Sequence, residues 1–203
     1  MPQPYLSRTL LALSLAITII SCSKETPAPV DKKTQIVNSF AMQLDGQNWE
    51  PGTIGTGPCS RTFNAAWSWI DGKPFFNISA YSDPSGKTGA ESENALQIQV
   101  MDVQATGNYV LGGSYLKSFS SNAVFWTRKP DGSRARYINV ETSQPFRVVF
   151  EQFTDRPNTT LKGVSGYFYG TLHNEKNPSD SVTIKKGEFV FHRTNWYDFS
   201  QCE

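Results

Sequence analysis

The 203-residue sequence is short of most of what chemistry needs. It has only two histidines and three cysteines, and 19 basic residues nearly balance 18 acidic ones for a formal charge of +1. His173 and His192 have no His, Cys or carboxylate at ligand spacing, so no zinc site and no metal or organic cofactor is expected. The near-neutral charge lacks the basic footprint of a nucleic-acid binder or of a protein held on anionic lipid by charge. No solenoid-type repeat and no long amphipathic helix is present, and the longest apolar run, Leu10 to Ile20, is eleven residues. A helix needs about 20 apolar residues to span a bilayer, so this run does not read as a membrane span.

That run reads instead as the core of an export signal. Arg8 stands in a polar start, the apolar run follows, and small Ser21 leads to Cys22. Ile19-Ile20-Ser21-Cys22 resembles the lipobox of bacterial lipoproteins. The resemblance implies cleavage after Ser21, a diacylglyceryl thioether on Cys22 and acylation of the new amino terminus. Each buried methylene contributes about 0.8 kcal/mol, and two or more chains anchor durably where one does not. Residues 1–21 are therefore read as a lipoprotein signal peptide and residues 22–37 as a lipidated Cys with a polar, Pro-containing tether. Ser23 after the Cys favours the outer membrane under the sorting rule of enteric-type bacteria. Glu25 is the one acidic residue just past the Cys, which leaves periplasmic and surface-facing display both open.

Residues 38–203 are one domain's worth of chain, enough to bury a core. Thirteen Phe, eight Tyr, five Trp, fifteen Gly and twelve Pro favour strands and turns. Phe40, Met42 and Leu44 alternate with Ala41 and Gln43 and run into Asp45-Gly46, with Trp49 beginning a return strand. Ala65–Ile70 and Lys73–Tyr81 flank Asp71-Gly72. A two-residue type I′ turn there pairs Ile70 with Lys73, Trp67 with Phe76 and Ala65 with Ile78. Ala65, Trp67, Trp69, Phe76 and Ile78 then form the core face, with Ser68, Phe75, Asn77 and Ser79 on the other.

Further strands are read at 96–101, 106–111, 123–127, 136–140, 146–150 and 164–172. Glycines inside the last suggest bulges or close backbone approach. Val182-Thr183-Ile184 and Glu188–Phe191 read as last strands separated by Lys185-Lys186-Gly187. Nine or ten short strands predict an all-β fold, an antiparallel β-sandwich, immunoglobulin-like or related, with a barrel as alternative.

Three stretches carry a family likeness: Phe40–Trp49, Gly107–Leu111, and Val164–Leu172 with Val182–Phe189. Together they resemble the small β-sandwich lipoproteins of unknown function common in Bacteroidetes. The resemblance implies the fold and the envelope address, and brings no catalytic residues with it.

Candidates for chemistry each have a bland rival. Cys59 and Cys202 could form a disulfide worth about 4–5 kcal/mol for so long a loop, or stand as two free thiols. Gly86-Lys87-Thr88 has the end of a phosphate-binding loop, but Tyr81 stands where that motif needs Gly. Asp71, Asp83, Glu91, Glu93, Glu141 and Glu151 have ordinary turn and strand-edge roles, and no pair stands out for hydrolysis. Aromatics beside polar residues, Tyr115, Trp126, Trp196 and Tyr197, are the candidate ligand-facing platforms. Arg128, Lys129, Arg134 and Arg136 cluster at one hairpin tip, where they could meet an anionic glycan or simply guard a strand edge. The expected role is a non-enzymatic, lipid-anchored envelope protein, an accessory or partner-binding module. The alternative is a surface glycan-binding module of a polysaccharide-uptake system.

Overall fold

In the computed structural model, residues 36–57, 59–141, 144–155, 162–195 and 199–202 are described. Cys22, the leader and residues 22–35 of the tether assignment lie outside the described residues, as do Trp196 and Tyr197; Val37, at the end of that assignment, bridges to Cys202. The described chain is built of strands: β1 (Ser39–Leu44), β2 (Gln47–Trp49), β3 (Phe63–Ile70), β4 (Lys73–Ser82), β5 (Asn94–Met101), β6 (Gly107–Leu111), β7 (Asn122–Arg128), β8 (Arg134–Ile138), β9 (Phe146–Asp155), β10 (Lys162–Asn174) and β11 (Ser181–Phe191). One short 3-10 turn, Gly89–Glu91, interrupts them.

All pairings between strands are antiparallel, in the order β2-β1-β11-β10-β8-β7-β5-β4-β3, with β9 and then β6 branching from β10. β10 causes the branch. Its Lys162–Tyr169 part pairs with β9, while His173 and Asn174 at its end pair with β8. A strand that changes neighbour along its length cannot lie in a flat sheet, and the sheet curls into a half-barrel. The concave interior holds one phenylalanine-rich core. Phe76 contacts Phe150 edge-to-face at 5.2 Å between ring centroids, and Phe168 and Phe189 stack behind them.

Turn chemistry fixes the register. Asp45-Gly46 and Asp71-Gly72 have positive φ at both positions, the requirement of a type I′ turn. The β3–β4 pairing is the one expected, Ile70 with Lys73 and Trp67 with Phe76. The third Asp-Gly differs. Only Gly132 has positive φ, Lys129 O accepts from Gly132 N at 2.9 Å, and Ser133 O accepts from Lys129 N at 2.7 Å. This is a type I turn with Pro130 at its first corner, followed by a glycine bulge.

Two expectations are corrected. Lys185-Lys186-Gly187 does not separate two strands, because β11 runs through it; the register of β1 jumps from Lys186 to Ile184, leaving Lys185 as a bulge. Gly187 lets the strand continue, since a Cβ there would stand 2.2 Å from the Phe168 ring. Trp69 is on the core-side face but is 54% exposed. It lies across from Pro74, one pair short of the turn, where alternation continues past the end of the core. Trp67, two residues earlier, is buried against Phe76 and Phe153.

The carboxyl-terminal segment finishes the core. Asn195 covers the free edge of β3, accepting from Trp67 N and donating to Trp67 O, both at 2.9 Å. Gln201 donates to Phe63 O and Asn38 N donates to Gln201 O. Cys59 and Cys202 join this segment to the loop before β3, with Cα atoms 5.0 Å apart and 143 residues between them in sequence.

Candidate functional site: a polar groove on the outer sheet face

The apolar positions of β4, β5, β7 and β8 point inward: Phe76, Ile78, Leu96, Ile98, Phe125 and Tyr137 are buried in the core. Strand alternation then places the intervening residues together on the outer face. Antiparallel pairing lines them up in rows. Asn77 faces Gln99, and Gln99 faces Asn122. Ser79 faces Gln97, and Gln97 faces Val124. Ala95 faces Trp126, and Trp126 faces Arg136. The result is an open groove of about 800 Å³ with side-chain amides on its floor.

Its walls come from two loops. The segment between β6 and β7 supplies Tyr115, Leu116 and Lys117, and the β10–β11 connection supplies Glu175, Lys176 and Asp180. Asn139 fixes the first loop: its side chain accepts from Ala123 N at 2.8 Å and donates to Leu111 O and Gly113 O, each at 2.9 Å. Tyr115 joins the two walls. Its hydroxyl donates to Glu175 Oε1 and accepts from Arg136 Nη1, and the Arg136 guanidinium sits 4.8 Å from its ring centroid. Arg136 Nη1 also reaches Glu175 Oε2 at 3.1 Å. Burial, and then the hydrogen bond to the Glu175 carboxylate, raise the Tyr115 pKa against the opposing pull of Arg136.

Of the aromatic candidates, Tyr115 and Trp126 both line this groove. Lys129, Arg134 and Arg136 from the cationic hairpin line it with them, and Arg128, paired with Arg134, continues the same face. Arg134 donates to the carbonyls of Ala90 and Ser92. Burial lowers its pKa, and the like charges of Arg128 and Arg136 lower it further. The sequence reading missed the amides Asn77, Gln97, Gln99 and Asn122. The available signal was local to β5, where Gln97 and Gln99 alternate with Leu96, Ile98 and Val100 and carry amides where charges are the usual choice.

The amides keep unused capacity. Gln99 Nε2 and Asn122 Nδ2 donate to Ser120 O at 3.0 and 2.7 Å, which leaves both amide oxygens as acceptors. Gln97 has no side-chain partner among the described residues. The Trp126 indole N–H is buried without a partner, but so are those of Trp49 and Trp67, and this does not single out the groove.

Other candidates stay apart from it. His173 Nδ1 contacts Pro178 O at 2.9 Å, and His192 lines a smaller hollow beside Thr154. Among the described residues no three His, Cys, Asp or Glu side chains converge to hold a metal. Asp83 organises its own loop, accepting from the Ser85 hydroxyl at 2.5 Å and from the backbone N–H of Ser85 and Glu93. Its pKa is lowered, first by the Ser85 hydroxyl.

The profile of one protein family, described as Domain of unknown function (DUF5025), matches residues 37–192. The chain belongs to that family. The match begins just before β1 and ends just after β11, so the groove-forming strands and both wall loops lie within the family domain. Neither the curated proteins nor the solved structures compared with the chain gave a match.

Proposed function

We propose that this chain is a non-catalytic, lipid-anchored envelope module whose outer groove binds a saccharide. The observation that carries the reading is the pairing of an amide floor with Trp126 and Tyr115 on one face. Gln97 offers a donor and an acceptor, and Gln99 and Asn122 offer their amide oxygens, on a lattice whose strands lie about 4.8 Å apart, the scale of one sugar ring. Aromatic rings present the apolar face on which a pyranose stacks. The groove is open and its lining is mostly polar, which suits a hydrated chain better than an apolar small molecule.

The non-catalytic part rests on the carboxylates. Glu175 is committed to Arg136 and Tyr115. Asp180 Oδ2 accepts from Tyr137 OH at 3.1 Å and from Asn174 Nδ2 at 2.8 Å. Both carboxylates are held by the chain's own side chains, and they are the acidic residues lining the groove. The envelope address and the likeness to Bacteroidetes lipoproteins rest on the lipobox resemblance at Ile19–Cys22. A glycan array probed with the full chain in detergent tests the binding reading. Binding to at least one saccharide, lost in Trp126→Ala with the melting temperature kept, is the expected result; binding unchanged in Trp126→Ala would overturn it.

A second reading, an envelope protein as partner, is favoured by Leu116 and Phe119, which are 74% and 63% exposed on the wall loop. Cross-linking in intact cells separates the two: a protein adduct through this loop supports a protein partner.

A further inference from the structure

The groove carries more than sugar-sized amides: its charge is one-sided. Five cations line it, Lys117, Lys129, Arg134, Arg136 and Lys176, against two carboxylates, Glu175 and Asp180. The whole chain has a formal charge of +1, so the excess is local. Most of it is unneutralised. Arg136 is ion-paired with Glu175, and Asp180 is held by neutral donors. Arg134 spends Nη2 on two backbone carbonyls, which keep it in place without cancelling its charge. Lys117, Lys129 and Lys176 have no ion-pair partner among the described residues, although Asp131 in the hairpin turn acts on Lys129 through space.

Guarding of a strand edge accounts for only part of this placement. β8 pairs with β7 along its length but with β10 only at Tyr137 and Ile138, so its Arg134 end is a free edge, whereas Lys117 and Lys176 stand on the two wall loops and guard no strand edge. The register puts Arg128 directly across from Arg134, and Arg136 one step further along the same face. Like charges directly opposite one another destabilise a sheet. Arg134 is held in that crowded position by two backbone carbonyls, at the same end of the groove as Trp126.

We infer that the groove selects an acidic saccharide, one whose carboxylate or sulfate groups lie against Lys129, Arg134 and Arg136 while a sugar ring stacks on Trp126. The inference rests on the saccharide reading above. A planar guanidinium suits a carboxylate or sulfate in two-point contact, and the lysines add charge without demanding a fixed geometry.

The test is an array of uronate-, sialate- and sulfate-bearing saccharides with their neutral or carboxyl-reduced counterparts, probed with the full chain in detergent beside oligo-dT as a bare polyanion. Acidic members are expected to bind roughly tenfold tighter than their neutral counterparts, the equivalent of one charge-assisted hydrogen bond. That preference, read as the ratio of acidic to neutral affinity, should shrink severalfold in Lys117→Gln/Lys129→Gln/Lys176→Gln at a melting temperature matched to the parent. Arg134→Gln is a second variant, read only with its melting temperature matched to the parent. Equal binding of acidic and neutral members overturns the inference and leaves the saccharide reading standing. Binding of no saccharide removes both. Oligo-dT binding as tightly as the acidic saccharides overturns it in favour of unselective charge attraction.

Discussion

Single residues decide where the sheet can bend and what its outer face can hold. Gly166 lies where β9 comes so close that a Cβ would stand 2.0 Å from Val149 O, and Gly187 faces the Phe168 ring. Backbone cannot yield as a flexible side chain can. Gly166→Ala is therefore expected to cost at least about 3 kcal/mol in denaturant unfolding, and Gly187→Ala about 2 kcal/mol. Losses under about 0.5 kcal/mol at both sites would contradict the described β9–β10–β11 packing. Asn139 spends its oxygen and both its N–H groups on backbone. Asn139→Ala should cost about 2 kcal/mol and free the wall loop that carries Tyr115. Trp126→Ala belongs to the other class, with binding lost and stability changed little.

At the scale of elements, the closing segment after β11 is the clearest case of sequence distance turned into contact. The Cys59–Cys202 bond closes a 143-residue separation and holds the strap that covers β3. Chain-entropy reasoning gives it about 4–5 kcal/mol, so the Cys59→Ser/Cys202→Ser variant should show a denaturant midpoint lower by that equivalent. A midpoint unmoved by the substitution or by reductant would contradict the role. The Asp83 loop makes a pH prediction. Its folded-state pKa is below the ordinary aspartate value, so its contribution is present above about pH 3.9 and lost as pH falls through the lowered value. Unfolding midpoints measured from about pH 5 down to about pH 2 should fall less steeply in Asp83→Asn than in the parent.

The hairpins were legible because period-2 alternation and Asp-Gly turns are local signals, and the Trp67–Phe76 pairing followed from them. Trp69 was not, because alternation reports the face of a residue and not how far the core extends beneath it. Lys185-Lys186-Gly187 resembled a connection because a bulge and a turn use the same residue types. The disulfide pairing was one of two open readings until the fold brought residues 59 and 202 together. The groove was half legible. Tyr115, Trp126 and the cationic hairpin are near in sequence to polar residues. Asn77, Gln97, Gln99 and Asn122 share a surface only through the β4-β5-β7 order, which no local pattern states.

For the whole molecule, the anchor proposed from the lipobox would hold at the membrane a family domain whose described residues form a polar, cationic groove. Protease shaving of intact cells checks its orientation. Loss of the chain with a periplasmic control spared is expected for a surface-facing module, and protection until lysis would turn it to the periplasm. The central claim is that the outer groove is the binding site, and its most direct measurement is residue-resolved. Full chain in detergent micelles, labelled with nitrogen-15, is titrated with the tightest saccharide from the array, and indole and side-chain amide resonances are followed. The account predicts movement of Trp126, Asn77 and Gln97 with Trp67, buried in the core, unmoved. Shifts confined to Trp69 or to the hollow beside His192, with the groove signals still, would contradict it.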